Sequence, residues 1–349
     1  MIVLGIETSC DDTGIAIIRV SGKKRPIIEI LSNVVSSQIK THAPFGGVVP
    51  NLAAREHLKN IEPCLKTALK EADLKMKDID LITVTIGPGL IPSLLIGVNF
   101  AKALAYRYKK PIIPVNHIEA HIVSAFSGEN SKFPAIALVV SGGHTQLVLV
   151  KKLGSYKIIG ETRDDAAGEC FDKVAKLLNL GYPGGPKISE QAAKFEIQNS
   201  KFRIQLPRPM ITHKNYDFSF SGLKTAVLYL VQGQNSGMPA LDGKNQEFIQ
   251  ELCYETQQAI IDVLVSKTVN AVKKYRAKTI ILAGGVAANK ELREQLAAAA
   301  KKIPHSLFLI PDFKLCTDNG AMIAIDGYLN RKSASKNYNK IKADANLRI

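Results

Sequence analysis

No Cys-x-x-Cys pair occurs in the 349 residues, and the five cysteines (Cys10, Cys64, Cys170, Cys253, Cys316) are odd in number and far apart. That scatter argues against both a disulfide scaffold and a thiolate zinc site, and it suits a reducing compartment. No run of about eighteen uncharged apolar residues exists, so no spanning helix is expected. The start, Met1-Ile-Val-Leu-Gly-Ile6, turns polar at Glu7 and lacks the basic opening, long apolar core and cleavage site of a signal peptide. These absences lead to the expectation of a cytoplasmic chain without membrane attachment. Low-complexity tracts are missing too, as are a Walker loop and a Gly-x-Gly-x-x-Gly turn. Acids are scarce beside bases: 31 Asp plus Glu against 46 Lys plus Arg give a formal +15. That excess favours a polyanionic partner, nucleic acid or an anionic surface, without deciding between them.

What is present is globular. Hydrophobic residues make up 46% and charged residues 22%, ordinary for a packed protein. The length exceeds what one core usually supports, so two lobes are expected. Two segments look like one device used twice. Ile2 to Ile18 and Ala135 to Val150 each read as a β-branched strand, a short polar glycine-containing turn and a second strand. Helical spacing follows over Asn51 to Ala72, Ser93 to Tyr108, His117 to Ser127, Ala166 to Leu178, Gln246 to Lys274 and Asn289 to Lys302. Short buried strands are expected at Ile79 to Ile86, Ile112 to Val115 and Thr279 to Leu282. Gln232 to Asn245 reads as a surface loop, and the polar, basic residues from Arg331 onward as a loosely ordered tail.

The sharpest chemical signal is His117-Ile-Glu-Ala-His121. Residues four apart share a helix face, so both imidazoles can reach one metal ion. Glu119 falls one position late for the base of a His-Glu-x-x-His protease. Alternatively, one histidine ends the helix and the other is exposed. Thr317, Asp318 and Asn319 precede a small-residue helix, where capping explains all three and a hard oxygen ligand is the other reading for Asp318. Ser141-Gly-Gly143, Pro183-Gly-Gly185 and Gly284-Gly285 are tight turns whose amides could cradle an anion. Asp11 and Asp12 are adjacent, so one is expected to enter a site while the other caps or faces solvent. Asp172 sits early in a helix, where acids are favoured on electrostatic grounds alone.

Together these residues resemble a known pattern. Gly5-Ile-Glu-Thr-Ser-Cys-Asp-Asp-Thr13, Val139-Val-Ser-Gly-Gly-His-Thr-Gln-Leu147, Asp164-Asp-Ala-Ala-Gly168 and Tyr182-Pro-Gly-Gly185 are similar to signatures of the tRNA threonylcarbamoyladenosine transferase (TsaD/Gcp) family. So are Asp217-Phe-Ser-Phe-Ser-Gly-Leu-Lys224, Ala283-Gly-Gly-Val286 with Asn289, and Cys316-Thr-Asp-Asn-Gly320. The motifs run in family order over nearly the whole chain, and the Phe-Ser-Phe-Ser-Gly-Leu-Lys form resembles the bacterial and organellar branch. Three positions depart from the usual pattern: Asp12 and Asn51 stand where relatives often carry Glu, and Asn116 where many have a further histidine.

The resemblance implies an α/β fold with two ribonuclease H-like lobes of the actin-like ATPase and sugar-kinase superfamily around a cleft. The expected divisions are 1–133 and 134–315 for the lobes, 316–330 for a helix carrying the metal aspartate, and 331–349 for the basic tail. His117, His121 and Asp318 match the ligands of one Fe2+ or Zn2+ ion. Val139, Val140, Ser141, Gly142, Gly143, Asp172, Gly185 and Asn289 match positions that hold threonylcarbamoyl-AMP. Asp11 matches a carboxylate that helps the transfer. The implied reaction moves the threonylcarbamoyl group to the exocyclic amine of the adenosine 3′ of the anticodon in tRNAs reading ANN codons, with release of AMP. Implied partners are tRNA, a smaller homologous inactive subunit and a small P-loop ATPase, with the helices Asn51 to Ala72 and Ser93 to Tyr108 as the pairing face. Lys332, Lys336, Lys340 and Lys342 could meet phosphates. Competing readings are a sugar or acetate kinase of the same superfamily, a silent binding module and a metalloprotease; the histidine pair argues against the first two and the position of Glu119 against the third.

Overall fold

A computed structural model of the chain describes residues 1–22, 26–126, 132–199, 202–233 and 245–349. Contacts divide the chain into two compact units, Met1–Asn130 with Pro311–Ile349, and Ser131–Ile310.

The first unit opens with strands β1 (Ile2–Glu7), β2 (Asp12–Ser21) and β3 (Ile27–Ser37). Helices α1 (Ile39–His42) and α2 (Pro50–Glu71) follow, then β4 (Leu81–Gly87), α3 (Ile91–Tyr108), β5 (Ile112–Asn116) and α4 (His117–Ser124). The second unit carries β6 (Ala135–Val140), β7 (Thr145–Lys152), β8 (Ser155–Glu161), α5 (Ala167–Leu177), α6 (Gly184–Ala192) and α7 (Ser221–Val231). It continues with α8 (Gln246–Tyr275), β9 (Thr279–Ala283), α9 (Lys290–Lys301) and β10 (Leu307–Leu309). The chain then returns to the first unit in α10 (Gly320–Leu329).

Each unit holds a five-stranded mixed sheet, and the two orders correspond: β3-β2-β1-β4-β5 and β8-β7-β6-β9-β10. In both, the first three strands form an antiparallel meander and the last two run parallel to the first. The duplicated hairpin seen in the sequence is the nucleus of each sheet, and the unforeseen β3 and β8 extend it to a meander. Parallel pairing requires crossovers, which the helices supply.

Strand alternation decides what each face of the first sheet meets. Leu4, Ile6, Ile15 and Ile17 pack with Ile61, Leu65, Val98 and Ala101 of α2 and α3. Val3, Ile18, Leu81 and Val115 pack instead with Ala120 and Val123 of α4 and Met322, Ile323 and Ile325 of α10. Each buried aliphatic side chain contributes roughly 1.5–3 kcal/mol over an exposed one. Glu7 lies on the parity of Val3 and Gly5, the face covered by α4 and α10.

The segment expected to be a loose basic tail is instead docked on the first unit. Ser335 bridges Ile112, the Tyr338 hydroxyl lies 3.1 Å from the carbonyls of Ala105 and Lys110, and Asp344 N donates to Ile86 O at 2.7 Å. Ile341 is buried in the same core as α2 and α3. Its lysines, Lys332, Lys336, Lys340 and Lys342, stay exposed; their density in the sequence masked the apolar residues spaced between them. The expected loop Gln232 to Asn245 lies mostly outside the described residues.

Candidate metal centre and glycine turns

Helix α4 begins immediately after β5. Asn116 caps it, its side-chain oxygen accepting from Ile118 N at 2.9 Å and Glu119 N at 3.2 Å. The residue that departs from the family pattern thus fixes the helix start. His117 and His121 follow one turn apart, with ring centroids 4.6 Å from each other and both side chains buried. Glu119 points away, its carboxylate facing Asn330, just past α10, at 3.5 Å.

Asp318 reaches the same point from the turn that leads into α10. Asn319 takes the capping role, its oxygen accepting from Met322 N at 3.0 Å; Asp318, which capping could have explained, faces the histidines. Its Oδ1 stands 3.2 Å from His121 Nε2 and 3.6 Å from His117 Nε2. Close packing sets this approach. A side chain at Gly5 would overlap Gly320 O, and one at Gly320 would overlap Ala16 N. Only glycine lets the start of α10 sit this near the β1–β2 hairpin.

One atom from each of His117, His121 and Asp318 lies within 4.8 Å of the others. Two imidazoles and a carboxylate in such proximity fit a divalent transition metal. A third layer supports them. Glu7, fully buried, has Oε2 at 3.1 Å from His117 Nδ1, and the Thr85 hydroxyl donates to the same oxygen at 2.6 Å. Glu7 Oε1 accepts from Ser9 N, and the Ser9 hydroxyl is 3.2 Å from His117 Nδ1. With Nδ1 engaged, Nε2 is the nitrogen left to face Asp318, as expected of a metal-binding histidine with a carboxylate behind it. Sequence reasoning missed Glu7; its signal was an acid closing an otherwise apolar strand, Ile-Val-Leu-Gly-Ile-Glu.

The charges are strongly coupled. Burial alone would lower the His117 pKa, but Asp318 and Glu7 outweigh it and raise it to about 9. His121 is held below the histidine range by burial and by His117. Burial would raise Glu7, and His117 pulls it down instead. Asp11 is pushed up by burial and by Asp318. Asp12 is pushed to about 7 by burial and then by Asp318. Its Oδ1 is buried without a partner among the described residues, so neither neighbour is an ordinary solvated acid. Behind this turn, Thr13 Oγ1 lies 2.8 Å from His57 Nδ1, and His57 Nε2 lies 3.0 Å from Cys10 O.

In the second unit the expected ligand residues form a connected set. Val139 and Val140 are buried in β6. The Ser141–Gly143 turn is closed by Ser141 N donating to His144 O at 2.8 Å, and Gly168 N of α5 donates to Ser141 O at 3.2 Å. Gly284, at φ +89°, packs on Val140 O. Asp172 accepts from Gly184 N at 2.6 Å and so ties α5 to the next turn. Gly142, Gly143, Gly185 and Gly285 would each have open space beside an added Cβ. Three turns thus present uncovered glycine backbone from one connected region, the form an anion cradle takes. Asn289 is there too, but its side chain is engaged: Oδ1 caps α9 on Leu292 N at 2.9 Å, and Nδ2 donates to Ser189 and Gln257, both at 2.9 Å. The Asp164 and Asp217 motifs scaffold each other: Asp164 accepts from both Ser219 and Ser221 hydroxyls and from Phe220 N, while Asp217 pairs with Arg163.

All five cysteines are free thiols, and no helix among the described residues is long and apolar enough to cross a membrane.

Known proteins agree with this picture. The crystal structure of HypF from T. kodakarensis matches with TM-score 0.58 at 14% identity, over 94% of this chain and 47% of that one. The (R)-2-hydroxyglutaryl-CoA dehydratase component A of Acidaminococcus fermentans matches with TM-score 0.54 at 14% identity, over 95% of this chain and all (100%) of the other. At such identities the likeness speaks to the fold alone. Sequence relatives are far nearer. The tRNA N6-adenosine threonylcarbamoyltransferases of Persephonella marina and Thermosipho africanus are 48% and 47% identical, over 96% and 100% of this chain and 91% and 100% of theirs. The Bacillus subtilis protein of the same name is 48% identical over 94% of this chain and 90% of its own. Residues 29–325 match the family described as TsaD, tRNA N6-adenosine threonylcarbamoyltransferase. The chain belongs to this family of tRNA-modifying transferases.

Proposed function

We propose that the chain moves the threonylcarbamoyl group of threonylcarbamoyl-AMP to the exocyclic amine of the adenosine 3′ of the anticodon in tRNAs reading ANN codons, releasing AMP. The observation that carries this reading is the convergence of His117, His121 and Asp318 within 4.8 Å, with Glu7 behind His117. A silent binding module has no use for such a centre, and a kinase would hold magnesium through oxygens rather than imidazoles.

The acceptor amine is a weak nucleophile because its lone pair is delocalised into the purine ring. It forms a bond to the carbamoyl carbon, the bond from that carbon to the phosphate oxygen breaks, and AMP departs with the electron pair. Catalysis therefore needs positioning, a held leaving group and a proton acceptor. An Fe2+ or Zn2+ ion held by His117, His121 and Asp318 would supply Lewis acidity and an orienting charge for the donor. Asp11 takes the proton lost by the amine; its raised pKa moves it towards the range useful to a base near neutral pH. Val139 to Gly143, Asp172, Gly185 and Asn289 bind the adenylate, with the uncovered amides of the glycine turns against its phosphate. Asp172 acts by holding the Gly184 turn, and Asn289 by fixing the start of α9 beside it.

The reaction takes place in the cytoplasm, with the smaller homologous subunit and a small P-loop ATPase as partners. Exposed Leu58 on α2 and Ile91, Leu95 and Tyr106 on α3 support those helices as the pairing face. Supplying threonylcarbamoyl-AMP and unmodified tRNA to the chain with its partners tests the reaction. AMP and threonylcarbamoyladenosine should appear one to one; AMP release without base modification would contradict it.

A further inference from the structure

A cavity of about 480 Å³ lies in the second unit between the loop 211–216 and α8, lined in part by His213, Lys214, Tyr216, Lys267 and Asn270. None of these residues belongs to the metal centre or the glycine turns. Lys267 is only 1% exposed, yet its ammonium group has one acceptor among the described residues, Asn215 O at 2.9 Å. An ammonium carries three N–H donors, and a buried one calls for an opposite charge. The acid whose field it feels, Asp217, is already engaged: Arg163 Nε and Nη2 donate to its Oδ2 at 3.0 and 2.7 Å. Burial accordingly holds the Lys267 pKa below the lysine range. The loop is fixed at its entry, where Arg208 donates to Asp262 at 3.0 Å and to Leu206 O at 2.7 Å and pairs with Glu255. His213, Lys214 and Asn270 on the rim are exposed donors.

We propose that this cavity is a phosphate-binding subsite and that its occupant is a backbone phosphate of the tRNA substrate. A buried ammonium with unused donors, an exposed lysine at the rim and side-chain donors around them match a phosphodiester oxygen pair. The formal +15 of the chain and its membership of a tRNA-modifying family favour RNA over free phosphate as the source. The inference deepens the proposed function by placing part of the RNA substrate.

The test is tRNA binding by the full-length chain across a salt series, in wild type, Lys214→Ala and Lys267→Met. Melting curves establish that each variant folds; Lys214 lies on the surface, so its variant keeps the test decisive if Lys267→Met does not fold. Loss of one phosphate contact should lower the slope of log K against log salt by about 1 and weaken binding to all tRNAs alike. Inorganic phosphate should raise the melting temperature of wild type more than that of either variant, the difference reporting this cavity apart from the glycine turns. An unchanged slope in folded variants overturns the proposal, as does a wild-type chain that binds no tRNA. A phosphate response with an unchanged tRNA slope overturns the RNA assignment. Failure of the proposed function would show differently, as absence of threonylcarbamoyladenosine whatever the binding slope.

Discussion

Glu7 Oε2 stands 3.1 Å from Nδ1 of His117, across the buried face that β1 turns towards α4. This pairing fixes which ring nitrogen is free for a metal. Glu7→Gln keeps the shape but gives up the carboxylate. Metal affinity, measured by competition with a chelator, should fall about 10–100-fold. Unchanged affinity would make Glu7 a bystander.

The packing of Gly5 under Gly320 sets how near Asp318 comes to the histidines. Gly5→Ala should therefore do two things at once. Overpacking should cost roughly 1–3 kcal/mol in urea unfolding, and metal content per chain should drop because the start of α10 is displaced. Lower stability with full metal content would separate the packing from the centre.

Asp172 bonds Gly184 N at 2.6 Å. Asp172→Ala leaves that amide without this acceptor, at a cost of about 1–3 kcal/mol. If the glycine turns bind the adenylate, the variant should also raise the KM for threonylcarbamoyl-AMP more than it lowers kcat. A pure kcat effect would assign Asp172 elsewhere.

Burial holds the His57 imidazole below the usual histidine range. As pH falls below about 6.5 the unfolded chain takes up this proton before the folded one. The stability His57 contributes is thus present above that pH and lost as pH falls towards its lowered folded value. Between pH 7.5 and 5.5 the urea midpoint of wild type should fall further than that of His57→Gln. Parallel curves would contradict this assignment.

The hairpins Ile2 to Ile18 and Ala135 to Val150 were legible because their strands are buried on both faces and read as continuous apolar runs. Strand β3 was not, since it lies at the sheet edge with only Ser32 buried. Helix α6 begins on Gly184-Gly185, which reads as a turn, and α7 on Ser221-Gly222, where glycine weakens any helical signal. The docked chain end was hidden by its lysines. Within the site, His117 and His121 carry their own signature in helical spacing. Asp318 does not, because three neighbouring residues could each have capped α10 and only the fold shows that Asn319 does. Glu7 becomes readable once the face covered by α4 is known, which is tertiary information.

The most direct test of the central claim is formation of threonylcarbamoyladenosine, read by mass spectrometry of digested tRNA. Wild type and His117→Ala would be compared with partners, unmodified tRNA, threonine, bicarbonate and ATP, with bound metal measured on both proteins. Wild type should carry one Fe2+ or Zn2+ ion and make the modified base, and a folded His117→Ala should lose both. Product formation at the wild-type rate by a metal-free variant would contradict the account.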